Sequence, residues 1–113
     1  MEAYCKLFID SALDKPNIES EIGQLINGQF DGFSVVSELL EIDVQTNDEW
    51  NPYEEASEDA FLYSRYYADV EPCGDVDMDK YISMISNVVR GLQKLGCKVV
   101  PSCDFEEQIA ARL

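Results

Sequence analysis

From Ala3 to Asp10 the chain alternates, with Cys5, Leu7 and Ile9 on one side and Tyr4, Lys6 and Phe8 on the other, which predicts a short strand. Its second face is itself aromatic. Ile18, Ile22, Leu25 and Ile26 then recur at helical spacing, and a helix over 16–27 follows, opened by Pro16 and stopped by Asn27-Gly28. Residues 33–45 are rich in Val, Ile and Leu, and Leu40, Ile42 and Val44 alternate with Glu41, Asp43 and Gln45, predicting a second strand with one wet face. Residues 46–60 lack apolar periodicity. A third strand over 61–70 places Leu62, Tyr66, Ala68 and Val70 inward and Phe61, Tyr63, Arg65 and Tyr67 outward, and Pro72-Cys73-Gly74 ends it.

The longest periodic stripe is Tyr81, Ile82, Ile85, Val88, Val89, Leu92 and Leu95, a second helix with acids before it, Arg90 and Lys94 near its end and Gly96 just past it. Residues 97–101 read as a fourth strand, at a sheet edge because Pro101 lacks a ladder donor. Asp104 and Glu107 have capping-box spacing for a short last helix over 105–111.

Strand, helix, strand, strand, helix, strand is the order of an α+β ferredoxin-like fold, a split β-α-β sandwich. The expectation is a four-stranded antiparallel sheet with two helices on one face. The chain of 113 residues is read as a single domain. The first and third strands would be central, so Tyr4, Lys6, Phe8, Tyr63, Arg65 and Tyr67 would share an uncovered aromatic face.

Charge changes the picture of what that face could meet. Between Glu38 and Asp79 there are fourteen acidic side chains and one basic one, Arg65, and the whole chain carries a formal charge of -15. With 46% apolar residues it is a folded acidic domain and not an acidic tail. Base stacking on an open aromatic sheet needs many cations to neutralise phosphate, so nucleic acid is excluded as a ligand, and an anionic membrane surface likewise. A positively charged protein is the partner that this charge attracts.

The 46–60 segment is the candidate site. Asp48, Glu49, Glu54, Glu55, Glu58 and Asp59 flank Trp50 and Tyr53, so long-range attraction for a basic surface is paired with the side chains most often found as interface anchors. Tyr63, Arg65 and Tyr67 would extend the contact. The bland alternative is a solvated connection with Trp50 folded back over the sheet, although connections this long are uncommon in small domains without a role.

Other chemistry finds little support. Asp75, Asp77 and Asp79 look like the start of a calcium loop, but Lys80 stands where glycine and Ser86 where glutamate would be needed. Helix capping accounts for the same acids. The four cysteines show no C-x-x-C spacing and the chain has no histidine, which disfavours zinc and removes the commonest general base. No phosphate loop, nucleophile elbow or dinucleotide fingerprint is present, so no cofactor, metal or catalytic residue is expected. The opening MEAYCKLFID lacks the basic and long apolar regions of a signal peptide, and the expected compartment is the cytoplasm, with free thiols.

The run WNPYEE, the strand-like FLYSRYYADVEP, the long second helix and the ending CKVVPSCDFEEQI together resemble a bacterial immunity protein of polymorphic toxin or contact-dependent growth inhibition systems. The resemblance spans most of the chain from Glu49 onward and carries no residue assignment. It implies binding to a cognate toxin domain, often a basic nuclease, with acidic side chains standing where phosphates otherwise bind. Two other readings stay open: a small-molecule-binding regulatory domain that dimerises through its open sheet, and an acidic DNA mimic that inhibits a nucleic-acid enzyme. The expected assembly is a monomer or a weak homodimer.

Overall fold

The computed structural model describes residues 1–54 and 58–113. Its elements run β1 (Cys5–Asp10), α1 (Lys15–Ile26), β2 (Gln29–Phe30), β3 (Val35–Val36), β4 (Leu40–Thr46), a 3-10 turn (Ala60–Tyr63), β5 (Tyr66–Pro72), α2 (Met78–Lys94), β6 (Lys98–Cys103) and α3 (Glu106–Ala110). The fold is α+β, with one open antiparallel sheet in the order β2-β3-β4-β5-β1-β6. Among the described residues six strands replace the four expected.

The two extra strands flank a turn at the start of the apolar run at 33–45, which a second turn then cuts. The Asp31 carboxylate accepts from the backbone N–H of Phe33 (2.9 Å) and Ser34 (2.8 Å), and Gly32 takes φ 101°, so the chain reverses there. Ser37 makes a second turn, its N–H reaching Leu40 O at 2.9 Å. Only Leu40–Thr46 remains as a long strand, and Phe33 stands 81% exposed at the hairpin tip.

Residues 61–70 also depart from expectation. Ala60–Tyr63 coils into a 3-10 turn closed by Ser64, whose N–H and Oγ both donate to Phe61 O, so β5 starts only at Tyr66 and Leu62 points outward. Tyr63 and Arg65 are therefore not strand positions.

Both long helices form as the stripes predict. Asp14 caps α1 by accepting from Asn17 N at 3.1 Å, and Asn27 ends it in the left-handed region. Asp77 caps α2, accepting from the N–H of Asp79 and Lys80. The helices approach closely at Gly91, where a Cβ would lie 2.4 Å from Leu25 Cδ2. The expected capping box of α3 is absent: the Asp104 carboxylate accepts from Glu2 N instead, while Glu106 reaches back to Cys103 N.

One core lies between the sheet and the helices. Cys5, Leu7 and Ile9 of β1, Leu40, Ile42 and Val44 of β4, and Ala68 and Val70 of β5 meet Ile18, Ile22, Tyr81, Ile85 and Leu92. Phe105 and Ile109 of α3 close its end. As expected, the first strand and the one before α2 are central, and the strand carrying Pro101 is an edge. Among the described residues no helix is long and apolar enough to cross a membrane.

Candidate functional site

Because alternate residues of β4 and β5 are buried in that core, the intervening ones stand on the other sheet face. Register then brings like charges together: Glu41 lies directly opposite Glu71, and Asp43 opposite Asp69. These four carboxylates form a square on the uncovered face. The Tyr4 hydroxyl donates to Asp69, and Gln45 Nε2 donates to Asp43 Oδ1 at 2.8 Å. Burial and the Asp69 charge both push the Tyr4 phenol above its usual value.

Next to the square, the Lys6 ammonium sits 4.3 Å from the Tyr67 ring centre and 5.1 Å from that of Phe8. The 3-10 turn folds over this side of the sheet, with Phe61 edge-on to Phe8 at 5.2 Å, so Phe8 is buried. The open aromatic face expected from six residues is thus divided. Tyr4, Lys6 and Tyr67 stay on the sheet; Tyr63 belongs to the turn.

Arg65 goes elsewhere. Its Nη1 donates to the carbonyls of Ala12 and Leu13, both at 3.2 Å, with Ser11 O at 3.4 Å, which pins the turn between β1 and α1. Its guanidinium lies 5.4 Å from the Trp50 ring centre and 5.0 Å from that of Tyr66. Trp50 is 46% exposed, so one part of the indole covers Arg65 and the other meets solvent.

The 46–60 segment is organised by Asn47, which sequence reasoning did not single out. Asn47 is buried, its Nδ2 donates to Leu62 O (3.0 Å) and Ser64 O (2.8 Å), and its Oδ1 accepts from Glu49 N. Asn51 N donates to Tyr63 O. These bonds tie the start of the loop to the 3-10 turn. The Asn47-Asp48 pair was the available signal, since asparagine bonds its own backbone two residues on.

Around this anchor Asp48, Glu49, Tyr53, Glu54, Glu58 and Asp59 are exposed, and Glu55 lies outside the described residues. Glu54 and Glu58 share a cleft of about 260 Å³ with Asp10, Phe61, Tyr63 and Lys98. The loop and the sheet face meet at a shallower depression lined by Lys6, Phe8, Glu49 and Tyr63. Loop acids, Trp50 and the carboxylate square therefore belong to neighbouring surfaces, with Lys6 between them.

Among the described residues no group of three or more Cys, Asp or Glu side chains is placed to hold a metal ion. No protein-family model, curated protein or solved structure matches the chain.

Proposed function

We propose that this protein is an immunity protein that binds a cognate basic toxin domain in the cytoplasm and neutralises it through charge complementarity. The observation that carries the proposal is the facing of Glu41 with Glu71 and of Asp43 with Asp69 on the uncovered sheet face. Like charges directly opposite destabilise a sheet, and a cationic partner relieves that cost on binding. A nuclease is the toxin class that fits, because a surface built for phosphates presents the cations these carboxylates would meet. The loop adds Asp48, Glu49, Glu54, Glu58 and Asp59, with Trp50 and Tyr53 as anchors. In this proposal the strands β4-β5-β1-β6 act as a ferredoxin-like frame, extended at one edge by β2 and β3.

Self-association through the same face is disfavoured, since it would bring two carboxylate squares together. The free protein is accordingly a monomer in this account.

The test is association kinetics with basic toxin domains encoded beside the gene, together with rescue of cells expressing them. Amide replacement at Glu41, Asp43, Asp69 and Glu71 should slow association about tenfold at low salt and flatten its salt dependence. Unchanged association and protection by a folded variant would remove the sheet face from the function.

A further inference from the structure

The side of α1 away from α2 carries a groove of about 590 Å³, within the usual size of a ligand site, with Gly23 and Gly28 among its lining residues. A Cβ on Gly28 would lie 2.7 Å from Val36 O, so the helix end and the β3 strand approach at backbone distance there, while one on Gly23 would make ordinary contact with Gly28 O at 3.5 Å. Phe30 lines one wall with its ring 51% exposed. Glu19 lines another.

Glu19 is only 8% exposed, and its Oε2 is shielded from solvent with no hydrogen-bond partner. A buried polar atom in this state is uncommon in a folded protein and calls for a partner. Lys15, one turn earlier, makes no ion pair with it; among the described residues the ion pair formed is Arg112 with Asp79. Burial pushes the Glu19 carboxyl up, Lys15 opposes this and Asp43 adds to it.

We infer that this groove is a binding site for an arginine or lysine side chain presented by a protein segment, with Glu19 as the acceptor and Phe30 as the ring on which the cation rests. Charge complementarity selects this occupant. Among the described residues the carboxylate has no ion-pair partner, the exposed aromatic face attracts a cation, and the chain's charge of -15 repels anions, including the free carboxylate of a single amino acid. A peptide-borne side chain brings the cation without that carboxylate. The groove is formed by residues outside the carboxylate square, so the inference goes beyond the toxin-binding face, although the Asp43 charge of that square is near enough to act on Glu19.

The probe is acetyl-Gly-Arg-Gly-amide titrated into the full chain while backbone amide resonances are followed, with acetyl-Gly-Glu-Gly-amide as control. The arginine peptide should give saturable shifts at Ser20, Gly23, Gly28 and Phe30, and Glu19→Gln should weaken binding about tenfold. Glu19→Gln should also leave the melting temperature unchanged or raise it, because it removes a buried charge that has no partner. Shifts confined to Glu41, Asp43, Asp69 and Glu71 would overturn the groove while leaving the sheet face standing. Equal binding by the glutamate peptide or by free arginine, parent-like binding by Glu19→Gln, or a marked fall in its melting temperature would overturn the groove as well.

Discussion

Asp43 faces Asp69 across the β4–β5 ladder, two residue pairs along from Glu41 and Glu71. Neither aspartate has a cation within ion-pair distance among the described residues; Asp69 accepts from Tyr4 and Asp43 from Gln45. Asp43→Asn keeps an acceptor for Gln45 and removes one member of the repelling pair. It should stabilise the free protein by about 0.5 kcal/mol, raising the melting temperature by about 2 °C. Sodium chloride up to 0.15 M should raise the parent's melting temperature, since screening acts over about 8 to 10 Å, and should help the variant less. A melting temperature that falls with salt, or falls in the variant, would contradict repulsion on this face.

Asn47 should be costly to replace. Asn47→Ala removes the donor for two carbonyls, at Leu62 and Ser64, and the acceptor for Glu49 N. The expected loss is about 2 to 3 kcal/mol in urea unfolding, with the loop acids released from the 3-10 turn. A loss below about 0.5 kcal/mol would show that the loop is held by other contacts.

Arg65 and Trp50 should separate stability from binding. Arg65→Met leaves the Ser11 and Ala12 carbonyls without this donor, Leu13 O keeping the Tyr66 hydroxyl at 2.8 Å, and should destabilise the chain by about 1 to 3 kcal/mol. Trp50→Ala removes a half-exposed ring and should cost about 1 kcal/mol or less in stability. In toxin binding the order reverses, with Trp50→Ala speeding dissociation at a cost of about 2 kcal/mol. Equal dissociation rates for Trp50→Ala and the parent would leave the indole as a cover for Arg65 alone.

Alkaline pH should unfold the protein early. Tyr81 is fully buried, its hydroxyl donating to Ala3 O at 2.6 Å and Val70 O at 3.3 Å, and burial raises its pKa; the Cys5 thiol is raised by burial and by neighbouring Cys103. Unfolded, these groups ionise near about pH 10 and 8.5. Above those values the native state holds protons that the unfolded state releases, so stability falls as pH rises. Melting temperatures from pH 8 to 11 should show a steepening decline, shallower in Tyr81→Phe. A flat profile would mean that both groups ionise in the folded protein as they do when unfolded.

The helices were legible because α1 and α2 carry apolar stripes over several turns and stop at Asn27 and Gly96, where backbone geometry favours those residues. Strands β2 and β3 were not, since two residues show no period. The Phe61–Tyr63 aromatics suit a strand by propensity, but the bonds from Ser64 to Phe61 O and from Asn47 to the Leu62 and Ser64 carbonyls favour a turn. Arg65 looked outward by alternation, which does not apply to it because the strand begins only at Tyr66. The loop acids could be found by composition alone. The carboxylate square could not, because it depends on which residue of β4 meets which residue of β5, and register is set by turns that the pattern at 33–45 conceals.

The position of β1 between β5 and β6 also fixes when the protein can fold. β1 finds its ladder partners only in residues 66–70 and 98–103, and the core beneath it is closed by Phe105 and Ile109. Contacts this distant in sequence slow folding, because the loops between the strands must close before the pairing rewards them. The native sheet therefore forms only once residues 98–103 are available to pair, and a truncation that removes β6 leaves the central strand with an open edge.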